Sequence, residues 1–330
     1  MTDYRAASVR AGNLVILLRD RGRLREALDV LTEQAGYTRR ARLGPWTQLA
    51  NQAARLQILS LMGEHDQVLA QTRQLRKRLT RLPASPAADE IVNPWDVHGL
   101  ILDTGHTSAQ ATEQWQLCLD FNAEILASAL ERRAGEYEVT RLRFNDAGPL
   151  IRLRRLAEAD QLLRECQQVF QEHDDIPALA MVLSTRAGLE YTLAHRDAAT
   201  ELERSALRLR YAHPDPRNVA IGHFNLASYL GTGDRAGRRA HRLAAALLFR
   251  LSDMTHNLDG AVRMLAAELR DDTADAGLPA TVAEVIEVTG QVEGVRLGAQ
   301  LDALEPGARV VEQALTNILR DAANDGWRRR

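Results

Sequence analysis

The chain has 330 residues, of which 45% are apolar and only 5% aromatic, with 42 basic and 44 acidic side chains and a formal charge of −2. That length holds two or three ordinary domains or one long repeat array, and the near-neutral balance excludes an overall electrostatic footprint for nucleic acid. No window approaches the ~18 consecutive apolar residues of a membrane span.

Taken from the start, Met1-Thr2-Asp3-Tyr4 lacks the basic opening and apolar run of a secretory signal, so a cytoplasmic chain without a membrane anchor is expected. Leu14, Val15 and Leu18 then precede a turn at Gly22, and Leu24, Ala27, Leu28 and Leu31 follow it on one helical face. The same unit, an apolar helix, a short turn and an amphipathic helix, recurs at Gly63, Gly105, Arg154, His195 and Gly233. The spacings are 41, 42, 49, 41 and 38 residues. A period in this range is the mark of a helical repeat architecture. The third unit is the least regular, with Trp115, Leu119 and Leu126 as its expected face. The fourth carries the stripe Leu156, Ala159, Leu162, Leu163, Cys166, Val169 and Phe170, and the sixth carries Ala236, Ala240, Leu243, Ala244, Leu247, Leu248 and Leu251.

Breaks are expected at Leu82 to Pro86, at His213 to Pro216 and at Asp271 to Pro279, where turn residues gather. The β-prone stretch Val282 to Val288 suits a short helix better, with Thr281 at its start and Glu284 and Glu287 inside. A final helix is expected from Ala308 to Ala323, and the tail Trp327-Arg328-Arg329-Arg330 is expected to be disordered. These features divide the chain into a repeat array over 1–252 and a C-terminal helical cap over 253–330. Nothing alternates apolar and polar residues for long enough to argue a sheet.

Several residues carry the mark of a known family. His213-Pro214-Asp215-Pro216-Arg217-Asn218-Val219-Ala220, then Asn225-Leu226-Ala227, Tyr229-Leu230 and Gly233, resemble a tetratricopeptide repeat of the kinesin-light-chain subtype. Asn145-Asp146-Ala147 with Leu156-Ala157-Glu158-Ala159 resembles another copy, and Gly22-Arg23-Leu24-Arg25-Glu26-Ala27 matches the family's turn and second-helix start. Arg154 and His195 stand where the family has Gly, and the spacing overlaps that of HEAT and armadillo repeats. The resemblance implies an all-α chain, an α-α superhelix of about six hairpins. Its inner groove, lined by the first helix of each pair, would hold a peptide or a partner segment. It further implies that Asn13, Asn145 and Asn225 face that groove, where an amide offers both donors and an acceptor to a peptide backbone. The rival reading has each amide bonded within the scaffold. From helical phase, Thr185, Thr192 and His223 join them as candidates, each lying off its own helix's apolar stripe.

Other features are weaker. Three basic runs stand out: Arg73, Arg76, Lys77, Arg78 and Arg81; Arg141, Arg143, Arg152, Arg154 and Arg155; and Arg235, Arg238, Arg239 and Arg242. Lys77 is the chain's single lysine. A GC-rich genome produces that bias, so the runs are expected to be solvated outer faces. Gly231-Thr232-Gly233-Asp234-Arg235-Ala236 fits G-x-G-x-x-A, but the motif needs a preceding strand and Ile221 to Leu230 is helical in pattern, so an inter-helix turn is expected. Cys118 and Cys166 lack CxxC spacing and are expected to be buried, reduced and too far apart to bridge. Glu172-His173-Asp174-Asp175 reads as a helix end. No catalytic, metal-binding or cofactor motif is found. The leading expectation is therefore a protein-interaction scaffold with a protein or peptide partner. A peptide- or ligand-sensing regulator acting through superhelix shape is the alternative, although no basic recognition helix precedes the first repeat. An atypical enzyme is the third.

Overall fold

The computed structural model describes residues 3–83, 85–88, 90, 92–213, 215–271, 278–304 and 307–328. Among them are seventeen helices and no strand. They form two compact units, Met1–Arg155 and Leu156–Arg330.

The first unit contains α1 (Tyr4–Asp20), α2 (Leu24–Arg40), α3 (Pro45–Leu61), α4 (His65–Leu79), α5 (Pro94–Ala111), α6 (Trp115–Glu131), α7 (Glu136–Phe144) and α8 (Ala147–Arg152). Its helices start where the local chemistry lets them. Asp3 accepts the backbone N–H groups of Arg5 and Ala6, Asn93 accepts that of Trp95, and Pro45 and Pro94 open α3 and α5, where the missing N–H costs nothing. The core is a chain of small clusters: Val15, Leu18, Ala27 and Leu31 with Ile58; then Trp46, Leu49, Leu56 and Val68 with Ile101; then Leu69, Leu102, Cys118 and Phe121. Each cluster draws on consecutive helices, as stacked hairpins require, because one hairpin cannot bury its own faces.

Nine of the helix junctions share one device. A residue with φ between +51° and +83° ends one helix and lets the chain reverse: Gly22, Arg42, Gly63, Glu113, Arg133, Arg154, Asp174, Ala194 and Asp253. Gly22 and Gly63 adopt it without strain. Arg154 and Ala194 hold the same left-handed conformation with a side chain, so the expected turns at Arg154 and beside His195 are present. Gly105 is a correction. It lies inside α5, and the third turn is at Thr112 to Gln114. A Cβ on Gly105 would sit 2.9 Å from Phe121 and 3.0 Å from Thr72, so this glycine serves close helix packing. The face of α6 is corrected with it: Cys118, Phe121, Asn122 and Ala129 are buried, whereas Trp115, Leu119 and Leu126 are half-buried.

The second unit contains α9 (Leu156–Glu172), α10 (Ile176–Thr192), α11 (Arg196–Tyr211), α12 (Pro216–Tyr229), α13 (Arg235–Leu251), α14 (Thr255–Asp271), α15 (Val282–Glu293), α16 (Leu297–Leu304) and α17 (Ala308–Arg328). From Ala240 to Phe249 every side chain of α13 is buried. That span includes His241 and Arg242, so its burial comes from enclosure by neighbours rather than from an all-apolar sequence: α12, α14, α15 and α17 all pack on α13. That enclosure explains why the units part at Arg155 and Leu156 rather than at residue 252: the expected cap shares one core with the last repeat. Val282 does open a short helix, and Thr281 and Glu284 form a reciprocal capping box at its start. The final helix runs past Ala323, through Trp327 to Arg328, where a disordered tail was expected. Arg329 and Arg330 lie outside the described residues, as does most of the expected break at 271–279.

Candidate functional site

The residues singled out for the groove fall in different environments. In the second unit, Asn225 donates its amide to Ser184 Oγ (3.1 Å), and Ser184 donates to the carboxylate of Glu203 (2.8 and 3.1 Å). Arg210 donates to the same carboxylate at 2.8 Å. Glu203 is wholly buried and Arg210 nearly so. Burial pushes the Glu203 carboxyl above its ordinary range, against the opposing pull of Arg210. Asn225 is thus half-buried and bonded within the scaffold, the rival reading of the two. Thr185 and Thr192 are half-buried on α10 and return their hydroxyls to the carbonyls of Met181 and Gly188 (2.9 and 2.8 Å).

His223 is corrected outright. It is fully buried, 2.6 Å from His241 between their Nδ1 atoms and 2.7 Å from the Tyr211 hydroxyl at Nε2. Burial drives its pKa well below the usual value, helped by His241 and Arg210, and His241 is pushed down to about 3 chiefly by burial. Both rings are neutral, so one nitrogen of the short contact donates and the other accepts. Helical phase misplaces His223 because α12 packs against both α11 and α13, so a position off its main apolar face still meets a neighbour. The basic run on α13 is corrected likewise. Arg239 and Arg242 are buried, and Arg238 and Arg242 pair with Glu268 of α14 (3.2 and 3.1 Å).

In the first unit, Asn145 is exposed at the break between α7 and α8. The residue that organises the break is Asn122, missed at the sequence level. It is fully buried and donates to the Leu142 carbonyl and to Asp146 Oδ1, both at 2.9 Å. Asn13 is better placed. With Gln34, Asn51 and Gln57 it lines a cavity of about 270 Å³ between α1, α2 and α3, with Ile16 exposed at the same place. Asn51 is committed to Thr38 Oγ1 (2.9 Å) and Gln57 to Arg19 (2.8 Å). Asn13 and Gln34 make no side-chain hydrogen bond among the described residues, which leaves two free amides facing one groove.

A larger cleft, about 880 Å³, lies between α3, α4, α5 and α6 of the same unit. Arg73, Arg76, Lys77 and Arg81 line it, so this basic run is no plain outer face. Trp46 forms a buried wall, its indole donating to the Pro83 carbonyl (3.0 Å), while Trp95 is 40% exposed. Arg76 pairs with Glu124 and lies over the Phe121 ring.

Cys118 and Cys166 are buried and form no disulfide, one in each unit, and burial raises the Cys118 thiol to about 11, far from reactive. Gly231 to Asp234 is the turn between α12 and α13. No helix among the described residues is long and apolar enough to cross a membrane.

No protein-family model matches the chain, and no curated protein matches it either. Among solved structures it is similar to a Rap protein complexed with Competence and Sporulation Factor, with a TM-score of 0.53 at 12% identity, covering 98% of this chain and 99% of that one. BtubC (BKLC) from P. vanneervenii is also similar, with a TM-score of 0.44 at 13% identity, covering 90% and 94% of the two chains. Successive hairpins, left-handed turn residues and the likeness to the Rap structure together give the fold: a tetratricopeptide-like helical repeat of the α-α superhelix class.

Proposed function

We propose that the chain is a protein-interaction scaffold, not an enzyme, and that it holds an extended peptide segment of a partner in the amide-lined groove of α1, α2 and α3. The observation that carries this reading is the pair of uncommitted amides, Asn13 and Gln34, beside the exposed apolar side chain of Ile16. An amide pair can bond a peptide backbone in both senses, and an apolar neighbour excludes water from those bonds. A fold-mate crystallised with a bound factor, the Rap protein with Competence and Sporulation Factor, is in keeping with it. A rigid groove lowers the ordering cost of binding. Asn225 enters this function only as scaffold.

An array of immobilised twelve-residue peptides of varied sequence, probed with the whole chain, tests the proposal. A selected peptide should lose roughly 1–3 kcal/mol of affinity against Asn13→Ala, the cost of a buried peptide group left unpaired. The thermal midpoint should stay within about 1 °C, because exposed side chains contribute little to stability. Peptides that bind equally well to Asn13→Ala and Gln34→Ala would reject the groove.

A further inference from the structure

The cleft between α3, α4, α5 and α6 carries chemistry that a peptide groove does not need. Arg73 and Lys77 lie four residues apart on α4, about 6 Å along one face, and Arg81 follows just beyond the helix end. All three are exposed, and none makes an ion pair among the described residues. The one carboxylate lining the cleft, Glu124, is taken by Arg76. Like charges at this spacing repel one another. Three cations on one wall of a concave site, with no acid left to answer them, attract an anion into it.

The opposite side supplies a flat surface. Trp95 stands exposed on the first turn of α5, next to His98 one turn on. Burial is the main influence that lowers the His98 pKa, with Arg76 adding to it, so its imidazole is neutral and can donate and accept. No Asn or Gln lines the cleft, so it has no side-chain amide with which to read a peptide backbone. Its 880 Å³ matches the about 300–1,000 Å³ of small-molecule sites.

We propose that this cleft binds a nucleoside polyphosphate, with the phosphates held by Arg73, Lys77 and Arg81 and the base stacked on Trp95. Arginine forks and a lysine point charge suit phosphate oxygens. An aromatic face suits any base, because every base has a π-face. The site is separate from the peptide groove, and the proposal does not rest on that reading.

Isothermal titration of the full chain with adenosine and guanosine triphosphates tests it, alongside tripolyphosphate, adenosine, guanosine, a fifteen-residue oligothymidylate and poly-glutamate. One nucleoside triphosphate should bind at one site per chain, and its affinity should fall as salt rises. The free nucleosides should not bind. Trp95→Ala should weaken the nucleotide roughly five- to hundredfold, the loss of one stacked base, and leave tripolyphosphate unchanged. Replacing Arg73, Lys77 and Arg81 together by Gln should abolish binding of both, while Asn13→Ala should bind nucleotide as the parent does. The neutralised variant should melt with the parent, since its three sites are exposed; if it does not fold, Lys77→Gln alone must still weaken binding. Four results would overturn the proposal: neither triphosphate binding, tripolyphosphate binding as tightly as the nucleotides, nucleotide binding unaffected by these substitutions, or oligothymidylate or poly-glutamate binding more tightly than either triphosphate.

Discussion

Replacing Glu203 by Leu strikes the polar centre of the second unit. The substitution strips the nearly buried Arg210 of the carboxylate it meets at 2.8 Å and leaves the Ser184 hydroxyl with no acceptor for its proton. Breaking a buried pair by removing one partner costs about 3–5 kcal/mol, and an unmatched buried hydroxyl adds about 1 kcal/mol or more. The reverse substitution, Arg210→Met, leaves the carboxyl alone. Burial already holds that carboxyl above its ordinary pKa, so it takes up a proton and the cost is smaller. Removing both partners deletes two desolvation penalties together, and the double variant should sit within about 2 kcal/mol of the parent. Urea unfolding of the four proteins at neutral pH closes the cycle. For a unit of this size, each kcal/mol moves the thermal midpoint by about 2–4 °C, so Glu203→Leu should melt roughly 8–24 °C early. A loss below about 1 kcal/mol, or a double variant as unstable as the two singles added, would show that Glu203 and Arg210 are not coupled.

Ala194 holds φ +66°, where a Cβ is strained, so Ala194→Gly should raise stability by about 0.5–1 kcal/mol in a thermal melt despite the greater unfolded freedom of glycine. Gly105→Ala places a methyl against Phe121 and Thr72 and should cost about 1–3 kcal/mol by overpacking, read as a lower urea midpoint. Burial pushes the Glu293 carboxyl up to about 7, outweighing Arg204 and Arg208 beside it. An acid whose folded pKa is raised holds its proton more tightly when folded. Its stabilising contribution is complete below about pH 4 and disappears as pH rises through about 7. Urea midpoints should therefore fall from about pH 5 to pH 8, and Glu293→Gln should flatten the fall.

How far these features can be read from the sequence depends on whether a residue's role is local. Gly22 and Gly63 announce their turns because a left-handed residue is a local demand that glycine meets at no cost. Arg154 and Ala194 meet the same demand without glycine, and there the repeat spacing reveals the turn. Gly105 misleads because a glycine that lets two helices approach looks, in sequence, like one that ends a helix. The helix start at Thr281 is likewise local and was legible. Asn225 was not, since its fate depends on Ser184 and Glu203, which lie on two other helices. Arg242 reads as surface until Glu268 of α14 is placed beside it. The basic run on α4 was visible, but its meaning needed Trp46 and Trp95, which reach the same cleft from different hairpins. Asn13 needed Gln34 from the neighbouring helix in the same way.

Where a bound peptide lies decides whether the α1–α3 groove is the binding surface. A photoreactive benzoylphenylalanine in place of Ile16, which is 48% exposed in the α1–α3 groove, can be compared with one in place of Leu130, which is 61% exposed at the end of α6. With a peptide selected on the array, irradiation should join peptide to chain at position 16 and not at position 130. Attachment at position 130 alone, or equally at both, would contradict peptide binding in the α1–α3 groove.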